Sequence, residues 1–375
     1  MQLLPDWMSN IHPLIIHFPI ALLIIAVIAD LASLLFNRYE WLRPASIALY
    51  TVGALGTIAA YFSGKQAADI VDFPPPSYPV ISEHADLALY TMLFFGIYAL
   101  IRLFLRWKAL DQKSLVAWGL FFIAAGGLFL IKATADHGGE LVYRFGVGTA
   151  ALSVQSEEKD VPSAQPETRL EGLDNGSWVL ETGNDAALKF RQNFRLRKGR
   201  WDDIILKNNQ APDGTPVLEI SNTGNQTVLL TFGAELSNLQ ISARLNLDRF
   251  KGRFFLVHHV ARPETYDFFV REKDDIRLGR IEKGSVKIYD AGKDTTSGWL
   301  TMKAVSSAGH FRGYVDTELR SHGHASDLPA GESGIAIEGR GTIQLAQIEV
   351  INLDEEKADS GQAGGMEHND SGHGH

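Results

Sequence analysis

Residues 13–36 read PLIIHFPIALLIIAVIADLASLLF. A helix apolar around most of its circumference for about 20 residues is long enough to cross a bilayer, whereas a soluble core helix keeps a polar face. Three further stretches share this character: Ala45 to Ser63, Ala85 to Trp107 and Ser114 to Ala135. They predict a multidomain membrane protein whose residues 1–150 form a four-transmembrane-helix bundle, with the lipid bilayer as its first partner. The first run is too long for a cleaved leader and lacks a basic stretch before it, so it is expected to stay in the protein.

The connections between runs one and two (Arg38, Arg43) and between three and four (Arg102, Arg106, Lys108, Lys113) are basic, while the middle connection sets Lys65 against Asp69, Asp72 and Glu83. Cytoplasmic loops collect Lys and Arg. This predicts a protein of the bacterial inner membrane with the amino terminus, the 73–79 loop and everything after run four on the periplasmic or external side. Through Ala150 there are nine Lys and Arg against ten Asp and Glu, and beyond it 26 against 34, so nearly all of the net −9 lies in the second part. An acidic exterior argues against a nucleic-acid partner. The chain has no cysteine, which excludes disulfides, thiolate metal sites, iron–sulfur clusters and covalently attached haem.

Residues 151–169 are polar, charged and proline-bearing, and read as a linker. From 170 to 353 the period changes to short alternating runs, among them Thr227 to Phe232, Leu239 to Leu247, Arg253 to Val260 and Thr342 to Ile351. Turn clusters at Asn222–Asn225, Asp274, Glu282–Gly284 and Ser307–Gly309 separate them. That pattern predicts an all-β jelly-roll sandwich with little helix. Residues 354–375 form an acidic, Gly- and His-rich tail expected to be disordered, in which His368, His373 and His375 can hold copper, nickel or zinc weakly or simply be solvated.

Four histidines mark the candidate site. His12, His17, His84 and His137 all lie at the outer ends of the helical runs, and histidine near lipid usually pairs, ligates or carries protons. His12 and His17 are about 7.5 Å apart along a helix and about 140° apart around it, so they do not share a face. His17 from run one and His84 from run three are the expected axial pair of a b-type haem, with Ala88 and Thr91 leaving room beneath His84. His137, followed by Gly138 and Gly139 where the helix is expected to stop, and His12 are expected as further ligands or proton-carrying groups. Copper or zinc on three histidines and a proton relay stay open beside haem, as does plain satisfaction of backbone carbonyls.

The strings His12-Pro-Leu-Ile-Ile-His-Phe-Pro, Ser63-Gly-Lys, Glu83-His-Ala and His137-Gly-Gly-Glu-Leu-Val-Tyr-Arg-Phe-Gly resemble the bacterial four-helix membrane family called domain of unknown function 2231, from about His12 to Thr149. The layout is similar to small b-type membrane cytochromes, which implies haem binding through His12, His17, His84 and His137. The outer domain is loosely similar to the concanavalin-like jelly rolls that include domain of unknown function 1080, whose members are linked to sugar hydrolysis or binding.

In the outer domain Trp178, Trp201, Trp299, Tyr266 and Tyr314 read either as a sugar-stacking surface or as packing aromatics. Adjacent in a strand, His258 and His259 should point to opposite faces and make a poor metal pair. His322 and His324 can reach a common ion or belong to a polar turn. The working function is electron transfer through haem, with a redox protein or quinone as partner. The alternative is a membrane-anchored binding protein whose sandwich recognises a glycan or an envelope protein; hydrolysis ranks last.

Overall fold

The computed structural model describes residues 10–148 and 167–354, apart from 37, 72 and 225. The tail histidines His368, His373 and His375, and most of the expected linker, lie outside the described residues.

Among the described residues, four helices are long and apolar enough to cross a membrane. They are α1 (His12–Leu35), α2 (Leu42–Ile70), α3 (Tyr78–Trp107) and α4 (Ser114–Tyr143). Pro13, Pro79 and the extended Lys113 sit at helix starts, where no amide donor is missed. Each helix packs on its neighbours in cyclic order. Leu23, Ala26, Tyr50, Ala54, Phe95, Ala99 and Ala124 fill the interior, while Phe18, Ile28, Leu55, Leu100, Phe122 and Phe129 point outward. An apolar shell around a packed interior suits lipid. At one end the exposed Trp107 carries Lys108 over its ring, and Tyr39 carries Arg38. Such aromatic and basic belts mark a bilayer interface.

Three boundaries differ from the sequence reading. The second helix runs on to Ile70 and the third starts at Tyr78, so His84 stands a turn and a half inside it rather than at its opening. The fourth continues through Gly138 and Gly139 to Tyr143. Those glycines do not stop the helix; Gly138 leaves room for the His84 ring, which a β-carbon there would meet at 3.0 Å. Arg102 is a further correction. It is not a loop cation but a buried residue of α3 whose Nη2 donates to Asp30 of α1 at 2.7 Å and to Ser46 of α2 at 3.3 Å.

Beyond the bundle the chain forms an antiparallel β-sandwich of jelly-roll type. The strands are β1 (Arg169–Gly172), β2 (Trp178–Glu181), β3 (Arg195–Lys198), β4 (Ile204–Gln210), β5 (Pro216–Asn222), β6 (Val228–Leu236), β7 (Leu239–Asn246) and β8 (Phe250–Arg262). They continue as β9 (Thr265–Glu272), β10 (Asp275–Glu282), β11 (Ser285–Lys293), β12 (Trp299–Ser307), β13 (His310–Val315), β14 (Glu318–His324) and β15 (Gly331–Asn352). A short helix, α5 (Ala186–Asn193), and a helical turn at Trp201–Asp203 lie between the early strands.

The long β15 belongs to both layers. Its first half lies between β6 and β8, its second between β7 on one side and β5 and β2 on the other. The change of layer falls at Gly339 and Gly341, whose φ values of 132° and 119° are open to glycine alone. One sheet continues from β8 through β9 and β10 to β11, the other from β7 through β12 and β13 to β14. Between them lie Leu218, Ile220, Phe254, Leu256, Phe269, Ile335, Ile343 and Ile348, all buried.

The buried ion pair yields a stability prediction. Removing one partner leaves an uncompensated charge and costs about 3–5 kcal/mol, while replacing both by apolar residues is often neutral. Arg102→Ala should therefore lower the thermal midpoint of the detergent-solubilised protein more than Asp30→Leu combined with Arg102→Leu. A double variant at least as unstable as the single one would contradict this.

Candidate metal centre at the helix–sandwich seam

The sandwich rests on the end of the bundle where α2 finishes and α3 begins. Phe73 and Tyr78 from the helical part pack with Val305, Tyr314 and Leu353 from the sandwich. Arg312 of β13, buried, donates from Nη1 to Ser82 Oγ of α3 at 3.1 Å and lies over the Tyr78 ring.

Two of the four helical histidines, His12 and His84, face inward at this end, and His137 lies part-exposed beside Glu83. The inward face of α1 carries Pro19, Leu23, Ala26 and Asp30; stepping back in threes and fours reaches residues 16 and 12 but misses 17. His12 accordingly turns in, its Nδ1 3.0 Å from Ser63 Oγ and its ring against Gly64. Ser63 itself donates to the Ala60 carbonyl, which leaves its oxygen to accept from His12. His84 donates from Nδ1 to the Thr134 carbonyl at 3.0 Å, and Thr91 meets the Thr134 hydroxyl at 2.9 Å. The room expected beneath His84 is thus crossed by a hydroxyl contact between α3 and α4. His137 is fixed by the Ala133 carbonyl and by Glu83 Oε2, each at 2.9 Å. His17 is exposed on the outside of the bundle. The expected axial pair of His17 and His84 is not brought together, because the two residues occupy different faces.

A denser histidine group lies in the sandwich. His310 of β13 and His322 and His324 of β14 offer one nitrogen each, and these lie within 4.8 Å of one another. His310 Nδ1 stands 3.4 Å from His322 Nε2. Two imidazole nitrogens about 2.0–2.1 Å from one tetrahedral ion stand about 3.3–3.4 Å apart. The other nitrogen of His310, Nε2, faces Asp86 Oδ2 of α3 at 3.4 Å. Behind the ligands, Asp290 accepts from the His322 amide at 2.8 Å and from the Ser321 hydroxyl at 3.2 Å. Burial, then Arg312 and the neighbouring histidines, push His322 down to about 3. Burial, Arg312 and His324 also lower His310, against the pull of Asp86. Both rings are therefore neutral at neutral pH, the form that ligates metals.

Sequence reading reached His322 and His324 but missed His310. A plain two-residue turn after Val315 would set residue 310 opposite 323, on the far face from both. The ladder instead shifts at Gly313 and Tyr314, with Arg320 as the extra residue, and His310 pairs with His324 and Arg312 with His322. A bulge of one residue moves every side chain beyond it to the other face.

A similar shift overturns the reading of His258 and His259. The β8–β9 register breaks after His258, and His259 takes a φ of 54°. The two rings meet, Nδ1 to Nδ1 at 3.1 Å. His259 also reaches Asp267 Oδ2 at 2.9 Å and the Ser237 carbonyl at 2.8 Å, and Asp267 takes both Arg280 donors and the Tyr289 hydroxyl. With its oxygens so committed, this cluster reads as a buried polar network rather than a vacant ligand set. Of the aromatic residues considered for sugar stacking, Trp178, Tyr266 and Tyr314 are buried, and Arg191 covers Trp201, as packing residues would be.

A four-helix membrane domain joined to a jelly roll is the class that this fold defines. Residues 8–151 match the family model described as "Predicted membrane protein (DUF2231)", so the amino-terminal domain carries that family's pattern. No curated protein matches the chain. Solved structures similar to the sandwich include the carbohydrate-binding module CBM66 from Bacillus subtilis, 12% identical with a TM-score of 0.34, covering 41% of this chain and 94% of that one. A Bacillus subtilis protein of unknown function with a galectin-like fold is 8% identical with a TM-score of 0.35, over 49% of this chain and 97% of its own. A Bacillus licheniformis beta-glucanase is 11% identical with a TM-score of 0.31, over 48% and 100%.

The buried histidine gives a pH prediction. Burial, reinforced by His259, pushes His258 down to about 3, whereas an unfolded chain binds that proton near 6.5. The folded value is the lower one, so the stability His258 contributes is complete above about pH 6.5 and is lost as pH falls toward 3, by up to about 1.4 kcal/mol per unit. Chemical denaturation between pH 7.5 and 4 should show this slope, and His258→Phe, which keeps an aromatic ring beside Phe311, should reduce it by the His258 share. Equal slopes for both proteins would rule the account out.

Proposed function

We propose that the protein is a membrane-anchored metal-binding protein of the cell envelope, which captures one copper(II) or zinc ion on His310, His322 and His324. The observation that carries this reading is the convergence of three imidazole nitrogens within 4.8 Å, two of them at the spacing of ligands on one ion. Imidazole suits copper, zinc and nickel, and among these divalent ions copper binds tightest to a given nitrogen set. Three protein ligands leave a fourth position open, and His324 is exposed at the edge of the cluster, so an ion can exchange with the surroundings. A closed structural site would be sealed on all four positions.

Orientation is part of the proposal. Arg38, Arg43, Arg106, Lys108 and Lys113 lie at the bundle end opposite the sandwich. The positive-inside rule then sets the seam on the outer side of the membrane. Haem on the bundle histidines has weaker support, since His17 faces outward while His12, His84 and His137 are each held by a hydroxyl, carbonyl or carboxylate of the bundle.

Titration of the detergent-purified, metal-free full-length protein with Cu2+ or Zn2+ should show one tight step per chain. His310→Ala or His322→Ala should weaken it at least about 100-fold, as loss of one of three ligands does. Substituting His368, His373 and His375 together should leave it in place and remove only weak binding. Retention of the tight step in the His310 and His322 variants would end this assignment.

A further inference from the structure

Asp86 belongs to the membrane bundle, yet it faces a histidine of the sandwich. His310 has two ring nitrogens, and the seam gives them different neighbours: Nδ1 faces His322 Nε2 at 3.4 Å, and Nε2 faces Asp86 Oδ2 at 3.4 Å. If Nδ1 holds the ion, Nε2 carries the proton and points it at a carboxylate. A carboxylate behind a ligating imidazole fixes the tautomer, orients the ring and raises its basicity. His310 is itself buried, whereas Asp86 is half-exposed, so the carboxylate can draw near without a large desolvation cost.

We infer that Asp86 is a positioning residue for the metal centre, and that occupancy of the centre is linked to docking of the sandwich on the membrane helices. The inference rests on the trihistidine reading above. Its geometric basis is the run from Ser82 to Asp86. Residues four apart on a helix share a face, and Ser82 and Asp86 both face the sandwich, the first accepting from Arg312 and the second reaching His310. Between them Glu83 and His84 hold His137 and Thr134 of α4. One and a half turns of α3 thus touch the metal site, the seam and the neighbouring span. Linkage is reciprocal: if the docked state binds the ion more tightly by some factor, the ion favours docking by the same factor.

Zn2+ is the probe, on the full-length protein in detergent, with affinity read by calorimetry and the seam read by hydrogen exchange of residues 73–90. In the wild type, Zn2+ should slow exchange there. Asp86→Ala should weaken Zn2+ binding about 10–100-fold and abolish that slowing, Asp86→Asn should behave similarly although it keeps the size, and Asp86→Glu should restore part of the affinity. Phe73→Ala, which loosens the seam without touching a ligand, should also weaken Zn2+ binding. Wild-type affinity in the Asp86→Ala and Asp86→Asn proteins would overturn the inference and leave the trihistidine centre standing. Weakened binding by Asp86→Asn with no Zn2+-dependent slowing even in the wild type would overturn the linkage. No tight Zn2+ step in the wild type would overturn both readings.

Discussion

A guanidinium withdrawn from water must find partners, and the burial of Arg312 between two domains makes its satisfaction the condition for their union. Its Nη1 reaches Ser82 Oγ and its plane lies near the Tyr78 ring, both on the first turns of α3. Those partners exist only where the helix starts well before His84, which it does because Pro79 opens it at Tyr78. Around this contact the apolar seam of Phe73, Val305, Tyr314 and Leu353 closes. The sandwich is thereby seated on the bundle directly rather than tethered by chain alone.

The same end of the bundle explains two glycines of the helices. His12 lies against Gly64 and His84 against Gly138, in each case with a β-carbon position 3.0 Å from the ring. Two helix pairs, α1 with α2 and α3 with α4, repeat one device: an imidazole on one helix fills the notch left by a glycine on the next. The opposite end is held differently, by the Asp30–Arg102 pair with Ser46 among Tyr50 and Tyr98. Inside a membrane a lone charge is expensive. Pairing across α1 and α3 therefore fixes which helices lie together.

The architecture was legible because its signals are long. Four apolar runs exceed any soluble helix pattern, and the alternation of Leu239 to Leu247 or Thr342 to Ile351 leaves strands as the only consistent reading. Turn clusters such as Glu282–Gly284 and Ser307–Gly309 fell where strands end. The site was less legible for a physical reason that recurs. Periodicity tells which residues share a face only while the register is unbroken. One extra residue at Arg320 brings His310 beside His322 and His324, and the break after His258 brings His258 and His259 together. Within α1 the expected ligand was the wrong one of the two: the face of Pro19, Leu23 and Asp30 includes His12 and leaves His17 outside. Gly138 and Gly139 misled, since a glycine that ends a helix and one that admits a neighbour look alike in a single sequence.

Electrostatics decides what the trihistidine group can hold. Arg312 lies close enough to lower His310 and His322, and the same positive charge opposes a metal cation. Asp86 counters it from the helical side, since it favours the charged forms of both His310 and Arg312. The imidazoles, kept neutral by burial, contribute no charge of their own to the balance. A divalent ion entering here would meet Arg312 and Lys65 as positive neighbours and Asp86 and Asp290 as negative ones. Undocking would take Asp86 and Lys65 away together and leave Arg312 and Asp290 with the sandwich, so what the site loses is the carboxylate behind His310. On the proposed trihistidine reading, docking therefore acts on the ion through the Asp86–His310 contact rather than through net charge.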